Sequence, residues 1–283
     1  MTLRASLPPA VPGTASLPMY DLPEVRDATD ALWAAVATRL SDQGIAAPAG
    51  LTRDLSLHDL WSDPALLFSQ CCGHPYVHHY RDRLRLVATP CYTAPGCDGP
   101  RYRSLLVARR GGAGSLAEAM GGVCAVNDWD SLSGWVQLAA ALPGPADRFF
   151  RGAVVTGAHV DSLAAIAAGQ ADIAAIDCVT FVLVQRHRPQ VLADIAVVGQ
   201  TAAAPSLPYV TRRGTDDGTV AALRDALAGA LADPALAAAR SALLLDGITI
   251  LGEGDYDTIP PTPTTRPPPD PGVPRRPATS PAP

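Results

Sequence analysis

A hydroxyl-rich helix start carries the most specific chemistry in this chain. In VCAVNDWDSLSGWVQLAAAL an apolar strand ends at Asn127, and Ser131, Ser133 and Gly134 open a helix that runs to about Leu142. Ser131 suits the N-cap. Hydroxyls and unpaired N–H groups at a helix N-terminus hold an anion without any formal positive charge. Small residues there let an oxyanion approach the backbone. The same residues also make an ordinary capped helix, and spacing leaves both readings open. In TGAHVDSLAAIAAGQADIAAID, His159 stands at a second helix start. It is placed either to donate to an oxyanion or to hydrogen-bond within the fold. Asp177 ends the strand that follows; it either caps its own helix or receives a cationic group of a ligand.

Three other strand ends offer polar groups. LLFSQCCGHPYVHHY sets Gln70 before Cys72, Gly73, His74 and His78. Gln70 reads as a hydrogen-bonding group on a cleft loop. Cys72, His74 and His78 have metal-ligand chemistry, and the two histidines share a helical face. No second Cys pair accompanies them, however, and vicinal cysteines rarely chelate one zinc. ASLPMYDLPEV ends a strand at Tyr20, a cleft-edge aromatic, with Asp21 to cap and Pro23 in the first helical turn. VATPCYTAPGCDGPRYRS puts Tyr92 near the start of a Pro- and Gly-rich loop, either a surface turn or a functional loop.

The elements that position these residues alternate. Short apolar runs at 15–20, 51–55, 65–69, 84–90, 102–109, 122–126, 153–156, 172–176 and 194–199 read as strands covered on both faces. Helical patterns fall at 24–42, 74–82, 115–120, 131–142, 159–168, 177–187, 217–231 and 234–243. The alternation predicts an α/β fold with largely parallel sheets, in which ligands sit at the carboxyl ends of strands. The chain of 283 residues suffices for one large domain or two small lobes.

Composition excludes several functions. All 22 basic residues are Arg, and without Lys the chain cannot be a P-loop NTPase, a Schiff-base enzyme or a lysine-dependent kinase. A net charge of −5 with 5% aromatics lacks the electrostatic footprint of a nucleic-acid binder. There is no G-x-G-x-x-G, G-x-S-x-G, H-E-x-x-H or EF-hand pattern. Cofactors are expected to be none. No apolar run is long enough to span a membrane. The six cysteines are too scattered for a disulfide scaffold and read as buried thiols. Residues 1–13 read as a flexible N-terminus. Residues 260–283, with 11 prolines among 24, read as a disordered Pro-rich tail. No leader peptide is visible, so the sequence as written reads as cytoplasmic, and as extracytoplasmic if the start codon is misplaced.

Taken in order, five pieces resemble the phosphate/phosphonate-binding proteins of ABC importers, in the type II periplasmic-binding-protein superfamily. They are A-S-L-P-M-Y (15–20), Cys72-Gly73 after Gln70, N-x-x-x-S-x-S-G (127–134), G-A-H-x-x-S-L (157–163) and G-x-A-D-x-A-A-I-D (169–177). The resemblance implies a two-lobed fold, each lobe a mostly parallel sheet flanked by helices, joined by crossing strands near 104–108 and 200–208. Lobe 1 is then 14–105 plus 208–259, and lobe 2 is 106–207. It implies a solute-binding protein, not an enzyme, that captures a small phosphonate- or phosphate-like anion by hinge closure, and an ABC permease as partner. The oxyanion roles carry over to Ser131, Ser133 and His159. Asn127, Tyr20, Gln70, Tyr92 and Asp177 are candidates for the remaining wall. Asp130, beside the site with Trp129, opposes a dianion unless it is turned away or paired. Two further readings stand beside this one: a cytosolic enzyme on the same scaffold acting on a small carboxylate, and a zinc-stabilised interaction protein using Cys72, His74 and His78.

Overall fold

The computed structural model describes residues 13–267. The chain opens with β1 (Thr14–Ser16), α1 (Arg26–Asp42), α2 (Leu57–Ser62), β2 (Leu66–Gln70) and α3 (Gly73–Pro75), which runs on as one π-helical turn over Tyr76–Tyr80. β3 (Leu84–Tyr92), β4 (Arg101–Tyr102), β5 (Ser104–Arg109) and β6 (Val123–Val126) follow. A π-helical turn, Leu132–Val136, then leads into α4 (Gln137–Ala140). The chain continues through α5 (Ala146–Phe149), β7 (Gly152–Val155), α6 (His159–Ala167), β8 (Ile173–Asp177), α7 (Cys178–His187) and β9 (Ile195–Gln200). It closes with β10 (Ala204–Pro205), β11 (Tyr209–Arg212), α8 (Asp217–Ala232), α9 (Ala237–Ala242), β12 (Leu245–Thr249) and α10 (Glu253–Tyr256).

These strands form two five-stranded sheets, ordered β1-β2-β11-β3-β12 and β7-β6-β8-β5-β9. A two-stranded ribbon, β4 antiparallel to β10, lies between them in the chain. The fold is therefore the two-lobed α/β architecture with crossing strands. Three of five strands in the first sheet, and four of five in the second, run in one direction. The ladders are nonetheless mixed. In each sheet a strand adjoining the ribbon, β11 or β5, is inserted antiparallel between its neighbours.

Local patterning accounts for the packing. α1 buries Thr29, Leu32, Trp33, Val36 and Leu40 on one face, the three-to-four spacing of an amphipathic helix. Trp33 stacks on Phe68 of β2 at 5.7 Å. β6 and β8 are buried along their whole length, so they read as continuous apolar runs instead of alternating ones. At the ribbon, Ser104 N donates to Thr201 Oγ1 at 3.0 Å, and Thr201 in turn donates to the Gln137 side chain.

Three parts of the sequence reading are corrected. Residues 51–55 form no strand; they run beside β1 through Thr52 N to Ala15 O, 2.7 Å, and Ser16 Oγ to Thr52 O, 2.7 Å. β11 and β12 escaped the reading because they are short, and β12 contains Gly247. Residues 260–267 of the Pro-rich segment are packed: His78 Nε2 meets Pro260 O at 3.1 Å, Ala146 N donates to Thr265 Oγ1 at 3.2 Å, and Arg266 lies 5.2 Å over the Trp129 ring. The rest of that tail, and residues 1–12 of the expected flexible N-terminus, lie outside the described residues.

Candidate ligand site

A cleft of about 720 Å³ opens between the two sheets. Its wall from the second sheet gathers the ends of β6, β7 and β8, where Asn127, Ser131, Ser133, His159 and Asp177 all line the cavity. Ser131 caps its helix, accepting from Gly134 N at 3.0 Å. Ser133, one position into the π turn, places Oγ 2.8 Å from His159 Nε2. His159 is the first residue of α6, whose N-cap, Ala158, supplies no side-chain cap. Gly157 adopts φ +90°, a left-handed value that glycine tolerates, and its N–H donates to Asn127 O at 3.0 Å. That bond ties the second helix start to the first. A Cβ at Gly134 would lie 1.7 Å from Asn127 Oδ1, so only glycine lets Asn127 fold over the helix start. Asn127 Oδ1 is buried without a hydrogen-bond partner.

The electrostatics of this wall are those of neutral donors with one buried acid beside them. Burial pushes the His159 imidazole down to about 4, so it is uncharged at neutral pH. Asp177 is 2% exposed. Its Oδ1 accepts from Val179 N at 2.8 Å and Thr180 N at 3.0 Å, and its Oδ2 accepts from Tyr20 OH at 2.8 Å. Burial still dominates these bonds and raises the carboxyl to about 6. Asp177 thus caps α7 and also lines the cleft.

Tyr20 stands on the first-sheet wall as expected. Gln70 and Tyr92 do not line the cleft, which corrects their expected place on its wall. Gln70 Nε2 donates to Tyr92 OH at 2.9 Å and to Leu207 O at 3.1 Å, and the Tyr92 ring meets Tyr20 edge-on at 5.2 Å. The amide is spent inside the core, and the pair backs Tyr20 from behind. Cys72, His74 and His78 do not converge on a common centre either. His78 turns to Pro260, and burial pushes the Cys72 thiol up to about 11. His74 is held down to about 4 by burial, with His78 adding to it.

The sequence reading missed much of the first-sheet wall. His58 and Trp61 reach the cleft from α2, and His79, Tyr80 and Arg83 from the π turn and its exit. His58 Nδ1 is 2.8 Å from Tyr80 OH, and Trp61 meets Tyr80 edge-on. A signal for α2 existed: Ser56 and Asp59 have S-x-x-D spacing, and Ser56 Oγ indeed accepts from Asp59 N at 3.1 Å.

A match to the periplasmic substrate-binding proteins of ABC phosphonate transporters covers residues 68–256. This chain belongs to that phosphonate-binding family. The membership makes it a binding protein and not an enzyme, and it brings a small ligand and a permease partner. No curated protein matches the sequence. Solved structures share the fold at low identity. A Xanthomonas citri protein bound to chloride ion is 18% identical with a TM-score of 0.68, over 87% of this chain and 94% of that one. A binding protein component of an ABC phosphonate transporter from Pseudomonas aeruginosa is 15% identical, TM-score 0.67, over 86% of this chain and 83% of that one. PhnD1 from Prochlorococcus marinus in complex with methylphosphonate is 12% identical, TM-score 0.67, over 87% and 95%. The phosphonate-binding family is normally periplasmic. Among the described residues no helix is long and apolar enough to cross a membrane.

Proposed function

We propose that this family member captures a small phosphonate- or phosphate-like oxyanion between its lobes, outside the cytoplasm, and presents it to an ABC permease. The observation that carries the reading is the Ser133 Oγ to His159 Nε2 contact of 2.8 Å, where two helix starts converge on the cleft. Ser131, Ser133, Asn127, His159 and the N-terminal end of α6 make a donor-rich, uncharged receptor. Such donors act strongly on a charged acceptor where water is excluded. Asp177 on the same wall, with Tyr20 bonded to it from the first sheet, would take the cationic or hydrogen-bond-donating end of the same ligand. The lobes, 14–105 plus 208–259 and 106–207, would close on the ligand about the crossing strands.

A thermal-shift and calorimetric screen of phosphate, methylphosphonate, 2-aminoethylphosphonate and alkylsulfonates tests the reading, because a ligand that prefers the folded state raises its melting temperature. A phosphorus oxyanion should raise it, and Ser131→Ala with Ser133→Ala should abolish the rise. No shift with any oxyanion at millimolar concentration would sink the assignment. A shift retained in the double variant would move the site elsewhere.

A further inference from the structure

A second group of ligand-type side chains meets at the cleft, beside the hydroxyl wall. One donor atom each from His74, His79 and Asp130 falls within 4.8 Å of the others. His79 Nε2 and Asp130 Oδ1 are 3.5 Å apart. Two donors on a tetrahedral zinc ion with bonds of 2.0–2.1 Å lie roughly 3.3 Å apart, so this pair already has the needed separation. His79 and Asp130 are about half exposed and free to adjust toward the third donor.

His74 supplies the independent observation. It is fully buried, and its Nδ1 has no hydrogen-bond partner. A buried imidazole nitrogen left unpaired costs free energy, and such groups in folded proteins call for an explanation. Its other nitrogen, Nε2, lies 3.1 Å from Thr262 Oγ1. Metal-bound histidines are held in this manner, one nitrogen on the ion and the other on an outer partner that fixes the ring. The partner here comes from the packed segment 260–267.

We propose that His74, His79 and Asp130 bind a divalent transition-metal ion such as zinc, leaving a fourth coordination position open to the cleft. Two imidazoles and one carboxylate are a donor set that zinc accepts, and three protein ligands with an open position is the arrangement of a site that takes an exogenous ligand. His79 and Asp130 line the cleft, and His74 stands behind them. The donors come from different lobes. His74 and His79 follow β2 of the first sheet, whereas Asp130 follows β6 of the second. An ion held by all three pins the lobes together. It also neutralises Asp130, an acid whose charge opposes an anionic guest in the adjoining receptor. The inference does not depend on which anion, if any, the hydroxyl wall holds.

The test uses the full chain, stripped with a chelator and titrated with Zn2+ by calorimetry and with Co2+ by absorbance. One equivalent should bind, and the Co2+ spectrum should show tetrahedral d–d bands with no thiolate charge-transfer band. Thr262→Val should weaken Zn2+ binding by the roughly 10–100-fold that loss of an outer-shell partner costs. His79→Gln and Asp130→Asn, both at exposed positions that the fold tolerates, should weaken it further. His78→Gln should leave it unchanged. Solution scattering should show Zn2+ compacting the wild type but not Asp130→Asn. Absence of stoichiometric binding would overturn the proposal, as would a thiolate band or binding that survives both His79→Gln and Asp130→Asn.

Discussion

Tyr20 and Asp177, 157 residues apart in sequence, share a buried hydrogen bond of 2.8 Å that links the first sheet's wall to the second's. The phenol is one of three donors on a carboxylate that is almost wholly out of water. Hydrogen bonds to charged groups contribute about 1.5–3 kcal/mol each. Tyr20→Phe should therefore destabilise the protein by about 1.5–3 kcal/mol near pH 7, where Asp177 is ionised. The loss should be smaller near pH 4, where the carboxyl is protonated. Chemical denaturation at the two pH values measures both; equal losses would contradict the ionised state assigned to Asp177.

The Asp177 carboxyl also sets a pH dependence. Its folded value, about 6, lies above the ordinary aspartate value of 3.8, so the native state binds the proton more tightly than the unfolded chain does. Stability from this group is present at low pH and is lost as pH rises from about 4 through about 6. Relative to Asp177→Asn, the wild type should lose up to about 3 kcal/mol over that window, at ~1.4 kcal/mol per pH unit of difference. A cationic ligand group reverses the balance. The affinity for 2-aminoethylphosphonate relative to methylphosphonate should rise through about pH 6 in the wild type and stay flat in Asp177→Asn. Affinity for methylphosphonate should be insensitive to the substitution.

His159 has the opposite sign. Burial lowers it from 6.5 to about 4, so its contribution to stability is present above the unfolded value and lost as pH falls from 6.5 through about 4. A bound oxyanion favours the imidazolium and raises the value again. Binding below neutral pH should therefore take up protons. Calorimetry in buffers of different ionisation enthalpy reads the uptake directly. His159→Gln should abolish it and lower affinity roughly 10- to 150-fold, the loss of one charge-assisted bond.

Gly134 is a steric requirement of the receptor. A methyl at this position would overlap Asn127 Oδ1, since its Cβ would lie 1.7 Å away. Gly134→Ala should displace Asn127 and cost about 1–3 kcal/mol of overpacking, with weaker anion binding. Asn127→Ala combined with Gly134→Ala should restore most of the stability, because it removes the clashing atom. A crystal structure of the single variant with Asn127 unmoved would refute the steric account.

Much of the site was legible because helix starts announce themselves locally. Ser131 before a helical run, His159 after T-G-A, and Asp177 before C-V-T each declare a strand-to-helix junction within a few residues. Gln70 and Tyr92 were read onto the wall because they too sit near strand ends. Nothing in sequence shows that an amide will be consumed by a phenol 22 residues away. α2 and its His58 and Trp61 were missed because residues 51–55 look like a strand and draw attention from the Ser56 cap.

The sequence by itself determined the α/β alternation, the positions of the junctions at Ser131, His159 and Asp177 and the absence of any lysine, because these rest on local periodicity, capping and composition. Only the tertiary structure decided which junctions share a cavity. Two sheets must be joined by the β4–β10 ribbon before Tyr20 can reach Asp177, and before His74 and His79 can stand beside Asp130. Those pairings depend on distances between residues far apart in the chain, and they are set by how the two lobes pack.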